Sequence, residues 1–209
     1  MMAMASGCAT KSAVQRAMVA PYRPSNVQQA APVLPDTLRR VAVLPMGCES
    51  GEPGTAEGVE AMSLVMAKEI GKLRAFETVS ISASQLRALT GSSSWSAHEA
   101  LPSGFFERIQ SATAADAVLF SRLTTYRAYP PLAVGLGFKL VDTRSQLIWW
   151  SVDEVFDAGS VAVAKAAEGY AASELEDARV RQDTSMVLLS PSRFGQYAIH
   201  SCLATMPER

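Results

Sequence analysis

Apolar positions along this chain follow two rhythms. Between Gly54 and Phe76, Val59, Met62, Val65, Met66, Ile70 and Leu73 recur at steps of three and four, the period of a helix with one apolar stripe. Between Leu132 and Asp142 the step is two. Leu132, Val134, Leu136, Phe138 and Leu140 alternate with Ala133, Gly135, Gly137 and Lys139, as in a strand with one face on a core. The small residues on the other face leave room for a helix or another chain to approach closely.

Shorter signals fill in the rest. "RRVAVLPMG" (Arg39–Gly47) is an apolar, β-branched run stopped by Pro and Gly, and "FETVSI" is a second strand. "SASQLRALTG" predicts a short helix closed by Gly91, and "GFFERIQSAT" another. "ADAVLFSRLTTYRAY" runs to a turn at Pro130-Pro131, and "LIWWSVDEVFDA" returns after "DTRSQ". These short connections imply antiparallel hairpins. "GSVAVAKAAEGYAASELEDARVRQ" reads as a long Ala-rich helix. "SPSRFGQYAIHSCLATM" reads as the last, with Pro191 suited to its first turn. The order β-α-β-α-α-β-β-β-α-α predicts an α+β fold of two layers. Its mixed sheet of about five strands is parallel at its start and antiparallel at its end.

Composition narrows the class. The 209 residues are 48% hydrophobic and 19% charged, with a formal net charge of −1. That is a globular composition without the basic excess that nucleic-acid binding requires. No apolar run approaches the roughly 20 residues of a membrane-spanning helix. The three cysteines show neither C-x-x-C nor Cys/His spacing, so neither a metal site nor a cofactor is expected.

The first residues change the picture. Ala5-Ser6-Gly7-Cys8 resembles the lipobox of bacterial lipoproteins, although Ala5 stands where Leu is usual. The resemblance implies acylation of Cys8, with the apolar part of the signal expected upstream of Met1. Ala9 rather than Asp after the cysteine implies the outer membrane. Behind Cys8 come Pro21, Pro24, Pro32 and Pro35 with Lys11, Arg16 and Arg23, a composition that favours extended, solvated chain. The expected organisation is a residual signal and lipobox at 1–8, a flexible tether at 9–38, and one domain at 39–209.

Candidate chemistry is sparse. The loop from Gly47 to Gly58 precedes a helix N-terminus, where phosphates bind in nucleotide folds. It lacks the Lys-Ser/Thr of a phosphate-binding loop, and Glu49, Glu52 and Glu57 oppose an anion. His98 lies in a Ser-rich loop; His200 precedes Cys202 by two residues on a helix, a spacing that points the two to different sides. With Cys8 acylated, Cys48 and Cys202 remain, either as a disulfide tying the first loop to the last helix or as two separate thiols. Trp149 and Trp150 are adjacent on a strand, so one faces the core and the other is covered or forms part of a partner surface, which Tyr126 and Tyr129 would extend.

"RRVAVLPMGCESG", "RAFETVSISASQL", "ADAVLFSRLTTY" and "GFKLVDTRSQLIWWS" together resemble a pattern of bacterial envelope proteins. It is found in the TolB amino-terminal domain, the curli secretion lipoprotein, the lipoprotein activator of penicillin-binding proteins and the Pel export lipoprotein. The resemblance covers roughly residues 41–152. It lacks the inserted hairpin that a curli-type pore needs, and Ser145-Gln146 replace the Gly usual in the last turn. It implies a non-enzymatic periplasmic accessory lipoprotein, held to the membrane through acylated Cys8. Such a protein docks on envelope proteins or assembles with its own copies, with no nucleic-acid partner. The alternative is a soluble enzyme or small-ligand binder with its site at the Gly47–Gly58 loop.

Overall fold

The computed structural model describes residues 22–48, 55–96, 98–174 and 181–209. Seven strands form a single mixed sheet: β1 Val27–Gln29, β2 Arg40–Val43, β3 Gly47–Cys48, β4 Glu77–Ser80, β5 Ala117–Arg127, β6 Ala133–Asp142 and β7 Ile148–Asp157. Their order is β1-β7-β6-β5-β2-β4, with β3 paired to β5 beyond the end of β2. Strands β2, β3 and β4 run parallel to their neighbours. The β5–β6–β7 meander and β1 are antiparallel. The mixed α+β class is as the pattern implies, with β1 and β3 added to the five strands expected.

Five α-helices flank the sheet among the described residues: α1 Thr55–Ile70, α2 Ala83–Thr90, α3 Phe105–Thr113, α4 Val161–Glu174 and α5 Pro191–Leu203. A 3-10 helix, Arg181–Leu188, precedes the last of them. The caps follow the sequence. Ser82 and Gln85 form a reciprocal capping box on α2, and Gly91 closes it with φ of 90°. Ser190 caps α5 ahead of Pro191.

The larger core lies between the sheet and α1, α4 and α5. Met62, Met66 and Ile70 of α1 descend toward Leu119, Leu123, Leu136 and Phe138. Trp150 is fully buried there, stacked on Phe138, and its indole N–H donates to Thr205 Oγ1 at 3.0 Å. On the other face α2 and α3 seal a smaller core of Leu86, Phe105, Phe106 and Ile109 against Ala42, Val118, Phe120 and Val141. The two-layer expectation is corrected here, because over β2 and β5 helices lie on both sides. The reason is that "FFERI" and "SQLRAL" each present an apolar stripe, and Val118, Phe120 and Val141 supply a matching surface.

The stretch assigned to a tether also differs. Tyr22 packs edge-on against Phe156 at 5.7 Å, and residues 27–29 pair with β7. Leu34 and Leu38 are buried, and Val33 bridges to Glu208 beside the C-terminus. From Tyr22 onward the chain is part of the folded body: its prolines exclude helix, while Leu34 and Leu38 enter the core and Tyr22 and Val27 pack against it.

Candidate functional site

The smaller helical layer stops short of β6 and β7, and this leaves a polar cavity of about 160 Å³ on that face of the sheet. Strand register lays out its floor in two rows. In one, Arg122 of β5 sits beside Gly137 of β6, which sits beside Asp153 of β7. In the other, Phe120, Lys139, Ser151 and Gln28 follow from β5 to β1. Ser96 and His98 close one side from the loop after α2, and Asn26 lies at the other.

Gly137 shapes the first row. A Cβ there would stand 2.7 Å from Arg122 Nε and 3.3 Å from Asp153 Oδ2. With only hydrogen at that position, the Arg122 guanidinium lies across β6 and pairs with Asp153 on the strand beyond. Neighbouring strands are about 4.8 Å apart, so the ion pair bridges two strand spacings. The space that the sequence left for the approach of a helix or another chain is taken by side chains of this one, Arg122 over Gly137 and Thr124 over Gly135.

Lys139 stands in the second row, part-buried. Among the described residues its ammonium forms no hydrogen bond or ion pair, since Asp153 is held by Arg122. Removal from water lowers its pKa, Arg122 nearby adds to this, and Asp153 opposes it. Ser96 Oγ and His98 Nδ1 are 3.3 Å apart, but the His98 backbone N–H also donates to Ser96 Oγ. The contact is thus the geometry of one exposed turn rather than a nucleophile set against a base held by another element.

The residues singled out by sequence fall in different places. Cys8, Glu49 and Glu52, with residues 49–54 of the Gly47–Gly58 loop, lie outside the described residues. Cys48 is exposed on β3 while Cys202 is fully buried in α5, and both are free, so the disulfide considered between them is not formed. Burial pushes the Cys202 thiol well above its usual range. His200 points away from Cys202, toward Glu69 at 3.7 Å with the ring of Tyr170 at 4.7 Å. Glu69, itself buried on α1, is bound by Lys72 at 2.9 Å.

Of the four aromatic residues proposed for a partner surface, Trp150 is interior and takes no part. Trp149 is half-buried and touches the larger core, at the irregularity where β7 shifts register against β6. Tyr126 is half-buried against Gly58 of α1. Tyr129 alone is well exposed, at 71%. Sequence reasoning missed Arg122, Lys139 and Asp153 as a group. Their one signal was Lys139 on the small-residue face of β6, and the others join it only through strand register.

Among the described residues no three or more His, Cys, Asp or Glu side chains are grouped to hold a metal. No described helix is long and apolar enough to cross a membrane. No family model matches the chain, and no curated protein matches it in sequence. Among solved structures it is similar to the PelC dodecamer from Paraburkholderia phytofirmans, at 14% identity and a TM-score of 0.43, over 90% of this chain and 96% of that one. It is also similar to the lipoprotein GNA1162 from Neisseria meningitidis, at 19% identity and 0.42, over 65% and 95%. The LpoB C-terminal domain from Salmonella enterica follows at 18% and 0.39, over 58% and 87%.

Proposed function

We propose that this chain is an accessory lipoprotein of the bacterial envelope, anchored to the outer membrane through acylated Cys8, that works by binding other proteins rather than by catalysis. The observation that carries the binding half is one end of the meander. There Tyr129, Val161 and Val155 are 71%, 68% and 47% exposed. Their support is firm. Arg127 on β5 pairs with Asp157 on β7 at 3.0 Å, and a Cβ on Gly159 would lie 3.7 Å from Pro131. The turns bearing Tyr129 and Val161 therefore touch. Large apolar side chains on a rigid, charged-rimmed end are the composition of interface anchors.

The anchoring half rests on Ala5-Ser6-Gly7-Cys8 and on where the body begins. Tyr22 already packs on Phe156. The fourteen residue steps from Cys8 to Tyr22 reach at most about 50 Å when fully extended. The head then works close to the membrane, among other envelope proteins or further copies of itself.

The deciding experiment is the mass of the mature N-terminal peptide from the native host's membrane fraction. A Cys8-initiated, acylated peptide is expected, and Cys8→Ala releases a folded protein into the soluble fraction. An unmodified peptide beginning at Met1, found in the soluble fraction, overturns the anchoring. For the binding half, Tyr129→Glu with Val161→Glu abolishes co-purification of envelope partners and any self-association seen by light scattering. A wild-type protein that is monomeric and retains nothing from envelope extracts removes that half.

A further inference from the structure

The cavity over β6 and β7 contains an unbalanced charge. Arg122 and Lys139 bring two positive charges to it and Asp153 brings one negative charge. Arg122 and Asp153 neutralise each other as an ion pair. The Lys139 ammonium is left part-buried without a hydrogen-bonded anion among the described residues. Holding a cation in that state costs free energy unless a counter-charge arrives. Around it stand neutral groups that both donate and accept: the amides of Gln28 and Asn26 and the hydroxyls of Ser151 and Ser96. The floor is a rigid sheet, so Lys139, Ser151 and Gln28 are held in place before any ligand comes.

We propose that this cavity binds a small hydroxylated carboxylate, of the sugar-acid class, whose carboxylate pairs with Lys139 while its hydroxyls bond to the surrounding amides and serines. Charge selects the class. One uncompensated cation suits a monoanion, whereas a phosphate monoester carries about −1.5 to −2 at neutral pH and crowds Asp153. Size points the same way. At about 160 Å³ the cavity is smaller than the roughly 300–1,000 Å³ that hold drug-sized ligands, so the occupant is a single small molecule and not a chain segment. The site is distinct from the apolar end assigned to protein partners and does not depend on anchoring through Cys8.

The test is calorimetric titration of the purified full chain with D-glucuronate, glucose and inorganic phosphate. Glucuronate is expected to bind, and glucose to bind at least about tenfold more weakly, the equivalent of one charge-assisted hydrogen bond. Lys139→Met and Lys139→Gln remove glucuronate binding, and Lys139→Arg keeps part of it. Both neutral variants fold, with an unligated unfolding midpoint equal to or above wild type, because each removes a part-buried charge that has no hydrogen-bonded counter-ion among the described residues. A lysine of purely structural use gives a lower midpoint instead. The proposal is overturned by equal binding of glucose and glucuronate, by preference for phosphate, or by neutral variants that retain glucuronate affinity. No heat at about 10 mM glucuronate, above the range of even a millimolar site, overturns it as well.

Discussion

Arg122 reaches Asp153 across an intervening strand, over the bare backbone of Gly137. An ion pair this exposed contributes on the order of 1 kcal/mol or less. Its larger effect is to fix the guanidinium flat against the sheet. Gly137→Ala places a methyl 2.7 Å from Arg122 Nε and displaces it. The expected loss in stability is about 1–3 kcal/mol, the usual range for an overpacked position. A double-mutant cycle with Asp153→Asn checks the origin: once Gly137→Ala is present, Asp153→Asn costs little more.

Gly58 and Gly169 form a matched pair within helices. A Cβ on Gly58 falls 2.5 Å from Tyr126 Cγ, while nothing lies within 4 Å of one on Gly169. Gly to Ala inside a helix gains about 0.5–1 kcal/mol, and overpacking a rigid ring costs about 1–3 kcal/mol. Gly169→Ala therefore raises the urea midpoint and Gly58→Ala lowers it. Denaturant titration of both variants against wild type reads the sign directly.

Leu38 is fully buried although it belongs to the stretch whose composition suggests solvated chain. Leu38→Ala is expected to cost about 2–5 kcal/mol, as for other buried leucines. A midpoint unchanged in urea would return this segment to the role of a tether.

Thiol labelling separates Cys48 from Cys202. In the native protein Cys48 reacts with a maleimide at once, and Cys202, buried and held as the neutral thiol, reacts only on unfolding. Peptide mapping after labelling with and without urea identifies each. Protection of both in the native protein, reversed by a reductant, would instead mean that they are bonded.

Tyr22 and Tyr197 both pack edge-on against Phe156, and burial pushes both phenols up to about 12, with Glu154 adding to the rise at Tyr22. An unfolded phenol ionises near pH 10. The folded state thus keeps its protons longer, and stability is fully present below about pH 10 and falls as the pH rises from there toward about 12. Urea midpoints across that window, with phenolate absorbance followed in parallel, measure it. Tyr197→Phe flattens the fall.

The long elements were legible because one rhythm extended over many residues. The alternation of β6 and the stripe of α1 each outweigh any single exception, such as Leu64, which is exposed at 76%. Strand β1 was not legible, since three residues flanked by prolines carry no period, and its place is set by the free edge of β7. The second helical layer was visible as helices but not as a layer, because face assignment follows from register rather than pattern. The cavity was hidden for the same reason. Arg122, Lys139 and Asp153 are separated by 17 and 14 positions in the chain and become neighbours only when two hairpins are aligned residue by residue. The exposed end at Tyr129 was partly legible, since its Pro130-Pro131 turn marks where the meander reverses.

The segment after β1 and the last residues of the chain lie side by side, with Leu34 N–H donating to the Glu208 carbonyl at 2.8 Å, and Arg209 reaches the Ala75 carbonyl at 2.8 Å. This arrangement governs how the molecule bears tension. A pull applied at Tyr22 first meets β1, an edge strand of three residues that can be peeled from β7 one hydrogen bond after another. Behind it, the clasp between Val33 and Glu208 must be sheared before Leu34 and Leu38 leave the interior. A pull from that side is thus expected to be met in two stages, a soft one that frees β1 and a stiff one that protects the core.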